Sequence, residues 1–490
     1  MDCHKINPKI ESLNLFRNLF ELKKHSLGPF LAVKNSGTEH LACQLIAHDW
    51  SEKCIDSASL LFIGSFKKSL RVYASLYLVS ALLRGKSIQY LLTKLPFEAI
   101  RSSLFLGMNC FNFLLFFCLS RKFFGGISYW GSLLFNLPAC FLSIIIERKQ
   151  RRGLLALYLT NLAVETGFNM LVSRGKLTRV PNGEVLLFAL ATSAYSLLFK
   201  MKALDGSFSN LIKILVGASE LPDTKKIDRK SRVVKYYGLM TVILNNAITQ
   251  FNEMFLQHHN RHNRWHNALI DGFRNFEHRI ERKLDSLSKC NKYRHEKCHH
   301  RYNCLIYSIL GFLQRFLAGY GLQAVIKLFG SIGIILKKPN VILKILKNKE
   351  NFQLGMFLGS FVFIFRGLSC LLRWLTNSHD KLHGLIAGFF AGWSMIFYKS
   401  SSIALYLNFK LFEILWMLGV KNNKLPLIRS FDSILYTIST AFVLWVALYE
   451  PHNIRKAYWR FLVKISDNKF AQVNRHILDV FGLKSSSIDK

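Results

Sequence analysis

Charged residues are scarce in this chain, and acidic residues are the scarcest of them. Asp, Glu, Lys and Arg together make up 19% of the 490 residues, against about 25% in soluble domains. Hydrophobic residues reach 51%, and apolar stretches long enough to span a membrane recur along the chain. The composition therefore predicts a polytopic membrane protein and argues against a soluble enzyme, a disordered chain or a small disulfide-bonded domain.

The familiar catalytic motifs are missing as well. The chain contains no Gly-rich phosphate loop followed by Lys and Ser or Thr, no G-x-G-x-x-G, no H-E-x-x-H and no nucleophile elbow. We therefore expect no enzyme activity. The net charge of +37 comes without an aromatic RNA-binding motif or a paired zinc-finger spacing. We expect this charge to contact anionic membrane lipids, and we expect no nucleic-acid partner.

Recognisable targeting signals are absent from both ends of the sequence. Residues 1–40 have no apolar core region and mix Lys with Asp and Glu, unlike a secretory signal or a mitochondrial presequence. The C-terminal Ser-Ser-Ile-Asp-Lys is not a peroxisomal Ser-Lys-Leu signal. The targeting information should then lie in the spans and their basic flanks. The block Arg148-Lys149-Gln150-Arg151-Arg152 predicts topogenic anchoring, with acidic lipid or a peroxisomal membrane-targeting factor as the alternative partner.

Ten apolar segments predict membrane helices, five on each side of a polar stretch. They cover residues 66–83, 103–120, 127–146, 153–172, 185–199, 304–335, 354–372, 384–398, 403–419 and 433–449. We predict an all-α polytopic membrane protein with about ten transmembrane helices. The predicted domains are a Cys/His-containing N-terminal region (1–60), a first membrane helix repeat (61–200), a basic helical linker with a His/Cys cluster (201–303), a second membrane helix repeat (304–450) and a basic C-terminal tail (451–490).

The linker contains an amphipathic pattern. Its apolar residues recur at steps of three and four, which predicts a helix lying on a membrane surface or on a partner helix. These residues are Leu269, Phe273, Phe276, Ile280, Leu284 and Leu287. His258, His262 and His266 share one helical face. This face suits a solvated, partly cationic surface better than a metal site.

The two halves of the chain predict an internal duplication into two tandem five-helix repeats. The tripeptide at 105–107 recurs 252 residues later at 357–359, and the tetrapeptide at 156–159 recurs 248 residues later at 404–407. At the second offset Glu165 aligns with Glu413. Five spans in each half would invert the halves, an architecture typical of transporters. Four spans in each half would make the repeats parallel instead.

Glu165 and Glu413 are carboxylates inside apolar spans, where a charge costs roughly 3 kcal/mol on insertion scales. They are candidates for a polar intramembrane pathway with Arg366 and Lys399. The alternative is structural pairing, of Glu165 with a basic residue such as Arg366 and of Glu413 with Lys410 or Lys399.

Gly384, Gly388 and Gly392 stand four apart in another span. This stripe of small residues predicts close packing against a neighbouring helix, with a binding groove as a further option.

Two groups of cysteine and histidine precede the first span of each half. Cys43, His48 and Cys54 form the first group, and the second contains Cys290, Cys298 and Cys304 together with His295, His299 and His300. Four soft ligands from the two groups would suit tetrahedral zinc, although neither spacing is a standard zinc motif. A disulfide or redox role and ordinary thiols are the alternatives. Cys110, Cys118, Cys140 and Cys370 fall inside apolar stretches, where we expect them to act as small hydrophobic residues.

Several longer motifs resemble one known family. They lie at 73–84, 146–155, 182–188, 348–355, 397–400 and 478–482, and the Cys43, His48, Trp50 and Cys54 pattern fits a Cys-rich N-terminal region. Together they resemble the transmembrane protein 135 family, also called peroxisomal membrane protein 52, over most of residues 40–482. The spans from 354 onward look distantly like the mitochondrial inner-membrane translocase channel fold. The linker is longer than this resemblance leads us to expect.

The resemblance implies a multi-pass protein of mitochondrial and peroxisomal membranes, with no catalytic residues to carry over. It implies a role in the balance of mitochondrial fission and fusion through a dynamin-related fission GTPase, in peroxisome organisation and in lipid metabolism. The competing hypothesis is a transporter or channel for a lipid, acyl compound or small metabolite. The duplication, the two glutamates and the glycine stripe motivate that second hypothesis.

Overall fold

A computed structural model describes residues 33–34, 46–83, 88–204, 206–217, 220, 294–300, 302–331, 341–378, 380–483 and 485–488. Most of these residues are helical, and the predicted all-α polytopic class is confirmed. Two short strands, β1 (Val33–Lys34) and β2 (Gly126–Ile127), pair antiparallel. Residues 221–293 of the predicted linker, with its apolar stripe and histidine run, lie outside the described residues.

Fourteen α-helices lie in the described ranges. In chain order they are α1 (Cys54–Leu83), α2 (Ile88–Phe124), α3 (Tyr129–Ile146), α4 (Lys149–Ser173), α5 (Gly183–Lys200), α6 (Gly206–Val216), α7 (Cys304–Gly330), α8 (Val341–Leu346), α9 (Lys349–Thr376), α10 (Leu382–Gly392), α11 (Ser401–Lys421), α12 (Phe431–Tyr449), α13 (Lys456–Ile465) and α14 (Arg475–Leu478). A 3₁₀ turn, Trp393–Phe397, continues α10.

Eight of the described helices are long and apolar enough to cross a membrane. They are α2, α3, α4, α5, α7, α9, α11 and α12. The apolar stretch Leu382–Phe397, which is α10 with its 3₁₀ turn, is shorter than these. The helix α1 is not among the eight, and its sequence contains Lys67, Lys68 and Arg71. All ten predicted membrane segments coincide with helices, but eight of them have the length and hydropathy of a full span.

Polar side chains determine where several helices begin. The side chain of Asn303 accepts a hydrogen bond from the Ile306 amide (2.8 Å) at the start of α7. Ser128 caps α3 through the Gly131 amide in the same way (3.1 Å). Such caps satisfy amides that the first helical turn leaves without partners. The helices α5 and α12 both begin after a residue with left-handed backbone, Asn182 and Ser430, each with φ of 56°.

The chain packs as two units. Unit 1 comprises Met1–Thr178 with Ile428–Lys490, and unit 2 comprises Arg179–Leu427. In unit 1, α1 packs on α2, α2 packs on α3, and α12 packs on both α3 and α4. In unit 2, α7 packs on α9, α9 packs on α10, and α5 packs on both α10 and α11. The two units therefore have the same order of helix contacts.

The packing units differ from the predicted repeats at one helix each. The helix α5 belongs to the predicted repeat 61–200 but packs in unit 2, and α12 belongs to the predicted repeat 304–450 but packs in unit 1. The units are defined by which helices pack together, whereas the predicted repeats are defined by a duplication of the sequence. The packing therefore does not test the repeat boundaries, which stay a prediction.

Hydrogen bonds between helices cross the apolar core of unit 1. The indole of Trp445 on α12 donates to the Tyr129 carbonyl at the start of α3 (2.8 Å). The Asn109 amide on α2 donates to the Tyr436 hydroxyl on α12 (2.8 Å). These bonds fix α12 among helices that are more than 300 residues away in sequence.

The predicted glycine stripe is the contact face between α10 and α5 in unit 2. Gly384, Gly388 and Gly392 face the α5 residues Lys200, Ser196, Thr192 and Ala189. A β-carbon added at Gly388 would lie 2.6 Å from the Thr192 carbonyl oxygen. The Thr192 hydroxyl in turn donates to the Gly388 carbonyl (2.9 Å). The two backbones approach closely because these positions have no side chain.

We predict that Gly388→Ala destabilises unit 2 by about 1–3 kcal/mol, because the added methyl group must displace a backbone carbonyl. The measurement is thermal unfolding of the purified chain in detergent. Gly321→Ala on α7 is the matched control, because a β-carbon there meets nothing within 4 Å. Equal stability of the two variants would contradict close packing at the stripe.

Candidate metal centre

Three cysteines and one histidine meet in unit 2 at the start of α7. Cys298 and His300 lie on the segment that precedes this helix, Cys304 is its first residue, and Cys370 projects from α9. Their ligand atoms all lie within 4.8 Å of one another. Cys304 Sγ is 3.9 Å from Cys298 Sγ and 3.7 Å from His300 Nε2. Cys370 Sγ is 3.3 Å from the same nitrogen.

Neighbouring groups fix the orientation of the His300 ring. Its Nδ1 lies 2.6 Å from the Tyr302 carbonyl oxygen, so with the proton on Nδ1 it donates to that oxygen. Nε2 then presents its lone pair to the cysteine sulfurs. The ring also stacks on Tyr307, with centroids 4.2 Å apart and planes 8° from parallel.

A buried ion pair lies behind the cluster. The Arg373 guanidinium, which is 1% exposed, forms a salt bridge with the fully buried Glu220. The same guanidinium lies 3.8 Å from Cys298 Sγ. Burial alone would raise the pKa of Glu220, but the charge of Arg373 outweighs that effect and holds the pKa below its usual range. Glu220 is therefore ionised, and it orients a positive charge toward the cluster.

A second, similar group lies in unit 1. His48, Cys54 and Cys118 place their ligand atoms within 4.8 Å of one another. Cys54 is the first residue of α1, and Cys118 lies on α2. His48 Nδ1 lies 3.0 Å from the Ser51 carbonyl oxygen and 3.0 Å from Ser57 Oγ. With the proton on Nδ1, Nε2 is the nitrogen of this imidazole that could bind a metal.

From the sequence we predicted His48 and Cys54 in the unit 1 group, and Cys298, His300 and Cys304 in the unit 2 group. That prediction missed Cys118 and Cys370, because an apolar helical context suits a thiol that acts as a small hydrophobic residue. One signal could have found them: 370 minus 118 is 252, the same offset that relates residues 105–107 to 357–359. Each group takes its ligands from one unit. Cys43 and Cys290, the other two predicted ligands, lie outside the described residues.

The two intramembrane glutamates are both paired. Arg455 holds Glu165 with two hydrogen bonds, one of them from Nε to Oε1 at 3.2 Å. Glu165 is thus paired with the residue just before α13 and not with Arg366. Glu413 accepts a hydrogen bond from Lys410 three residues earlier (2.8 Å), and its side chain is 44% exposed.

The other two residues of the predicted pathway also have local partners. The buried Arg366 donates to the carbonyl oxygens of Val216 (2.8 Å) and Tyr307 (3.1 Å). Lys399 donates to the Asn182 side chain (2.6 Å) at an exposed position. Within unit 2, the hydrogen bonds of Glu413, Arg366 and Lys399 go to different partners. None of these bonds joins one of the three residues to another.

Eight span-length helices define the class of this chain, a polytopic helical membrane protein. Residues 40–172 match the family model of the N-terminal cysteine-rich region of Transmembrane protein 135. The resemblance to the transmembrane protein 135 family that the sequence predicted is confirmed over these residues. No solved structure matches the chain. The distant likeness to the translocase channel fold therefore stays a prediction.

The contacts of Glu165 predict a structural role for its ion pair. Arg455→Gln should lower the free energy of unfolding by about 1–3 kcal/mol, because it leaves a largely buried carboxylate unpaired. The double variant Glu165→Gln/Arg455→Gln should recover part of that loss. The measurement is a double-mutant cycle from thermal unfolding in detergent.

Lys410→Gln is the control, because its partner Glu413 is more exposed and the pair contributes at most about 0.5 kcal/mol. An equal loss from Arg455→Gln and Lys410→Gln would contradict the structural role of the Glu165 pair.

Proposed function

We propose that this chain is a non-enzymatic membrane organiser of mitochondria and peroxisomes. In this proposal it promotes fission through a dynamin-related GTPase, and it supports peroxisome organisation and lipid metabolism. The match of residues 40–172 to the transmembrane protein 135 family supports the proposal, since the family resemblance implies these membranes and this role. The span-length helices support contact with membrane lipid.

The organiser is favoured over the transporter because the residues of the predicted pathway are all paired and the helices pack closely where α2, α3 and α12 meet. The space enclosed by Phe113, Phe117, Ser132, Asn136, Trp445 and Leu448, where α2, α3 and α12 meet, is about 10 Å³. That volume is at or below what one water molecule needs. The four residues of the predicted pathway are each bound to a local partner. This interior suits a membrane anchor better than a conduit.

The linker is the segment we assign to partner binding. The C-terminal tail folds onto unit 1: the Asn474 amide donates to the Ile46 carbonyl (2.9 Å), and Arg475 is fully buried against Trp459. A tail packed in this way offers less free chain to a soluble partner. The basic linker, with its apolar stripe at 269–287, then becomes the preferred docking segment.

The alternative is a transporter or channel for a lipid, acyl compound or small metabolite. The observation that favours it is the matching helix order of the two units, which fits the predicted duplication. We propose that α1–α5 and α7–α12 descend from one repeat whose last helix has been exchanged between the units. A duplicated bundle is compatible with either function, so the carboxylates must decide between them.

We expect the neutralised pairs Glu165→Gln/Arg455→Gln and Lys410→Gln/Glu413→Gln, combined in one chain, to rescue cells that lack the protein. Neutralising both partners of each pair leaves no charged side chain without its partner. The readouts are mitochondrial length and organelle lipid content at matched membrane abundance. Loss of both readouts in a folded, correctly located variant would support the transporter instead.

A linker variant provides the complementary test. Leu269→Ser/Phe273→Ser/Phe276→Ser should leave membrane abundance unchanged and abolish the rescue of mitochondrial length, because it removes the apolar stripe. Full rescue by this variant would contradict partner binding through the linker.

A further inference from the structure

We propose that Cys298, His300, Cys304 and Cys370 bind one Zn²⁺ ion in tetrahedral coordination. The site joins the segment before α7 and the first turn of α7 to α9. Its role is structural, because four protein ligands fill the coordination sphere and leave no open position for water or substrate. The proposed zinc site would be the same in an organiser and in a transporter.

The distances between ligand atoms suit zinc. With Zn–S bonds of about 2.3 Å and a Zn–N bond of about 2.0 Å, tetrahedral geometry places sulfurs about 3.8 Å apart and sulfur about 3.5 Å from nitrogen. The observed separations are 3.9 Å between the sulfurs of Cys298 and Cys304, and 3.7 and 3.3 Å from His300 Nε2 to Cys304 and Cys370. A disulfide would need sulfurs about 2.05 Å apart. The cysteines are free thiols.

The surrounding groups match those that support zinc ligands in proteins. His300 donates from Nδ1 to a backbone carbonyl, which fixes the tautomer that binds metal through Nε2. Three thiolates and Zn²⁺ together carry one negative charge. Arg373 lies 3.8 Å from Cys298 Sγ, where its guanidinium can donate a hydrogen bond to the thiolate, and Glu220 orients that guanidinium.

Burial makes an ordinary cluster of thiols a poor explanation. Cys298, His300 and Cys370 are 1%, 4% and 2% exposed, and they come from two separate parts of the chain. Apolar packing of these thiols with Tyr307 does not by itself require the His300 nitrogen to face two sulfurs. A bound metal accounts for the convergence, because each ligand then gains a coordinate bond.

The geometry of a different group of residues points to a second zinc site, in unit 1. His48, Cys54 and Cys118 gather in the same way at the start of α1. His48 and His300 are 252 residues apart, as are Cys118 and Cys370. Among the described residues this site has three ligands, and its imidazole is oriented by the Ser51 carbonyl. The same arrangement at equivalent helices makes chance clustering a weak explanation for either group.

Metal content of the full-length chain, purified in detergent, tests both sites. Zinc measured by inductively coupled plasma mass spectrometry should amount to two equivalents per chain. Cys370→Ser should remove one equivalent and Cys118→Ser the other. Cys140→Ser is the matched control, because it removes a buried thiol on α3 that belongs to neither group. Replacing zinc with Co²⁺ should give the visible absorption of cobalt bound to thiolates, and each ligand variant should lose the part that belongs to its own site.

A conservative variant separates metal loss from misfolding. His300→Cys keeps four soft ligands and should retain zinc and folding, whereas His300→Ala should lose one equivalent. The unit 2 site is rejected if the folded wild-type chain, supplied with zinc, binds none, or if Cys370→Ser keeps the full amount. The unit 1 site is rejected if Cys118→Ser retains all the zinc of the wild-type chain.

Discussion

Polar side chains inside a membrane-embedded bundle must find partners on neighbouring helices, because lipid offers none. Several contacts between the described helices follow this constraint. The hydroxyls of Thr160 and Ser439 bind each other at 2.9 Å, and the Thr192 hydroxyl donates to the Gly388 carbonyl. Glu165 accepts hydrogen bonds from Arg455. Each of these bonds joins helices that are distant in the chain, so together they select which helices become neighbours.

The same constraint accounts for the packing of α5 in unit 2 and of α12 in unit 1. The helix α5 offers hydroxyls on the face that meets the glycine stripe of α10, where Ser193 also donates to the Leu385 carbonyl (2.9 Å). The helix α12 offers Trp445, Tyr436 and Ser439 to the helices of unit 1. Dividing the chain at the linker would therefore leave each unit without a helix that satisfies its polar groups. The two halves of the sequence are interdependent for this reason.

What could be predicted from the sequence was local. Apolar runs located the eight described helices that are long enough to span a membrane, and the glycines at steps of four identified a packing face. The Glu413–Lys410 pair was accessible because its members are three residues apart on one helix. The Glu165–Arg455 pair was not, since 290 residues separate its members. Cys118 and Cys370 were hidden for a different reason: a thiol in an apolar helix has the same pattern whether it packs or binds metal.

The cysteine groups lie where the polar chain enters the first helix of each unit. In unit 2 the segment that follows the linker supplies Cys298 and His300, and the bundle supplies Cys370. The contact between His300 and Cys370 joins the segment before α7 to α9 through buried side chains, so disturbing it would expose thiols and break packing in unit 2. Under the proposed function, the helices would anchor the chain in the membrane and the linker would bind the soluble partner.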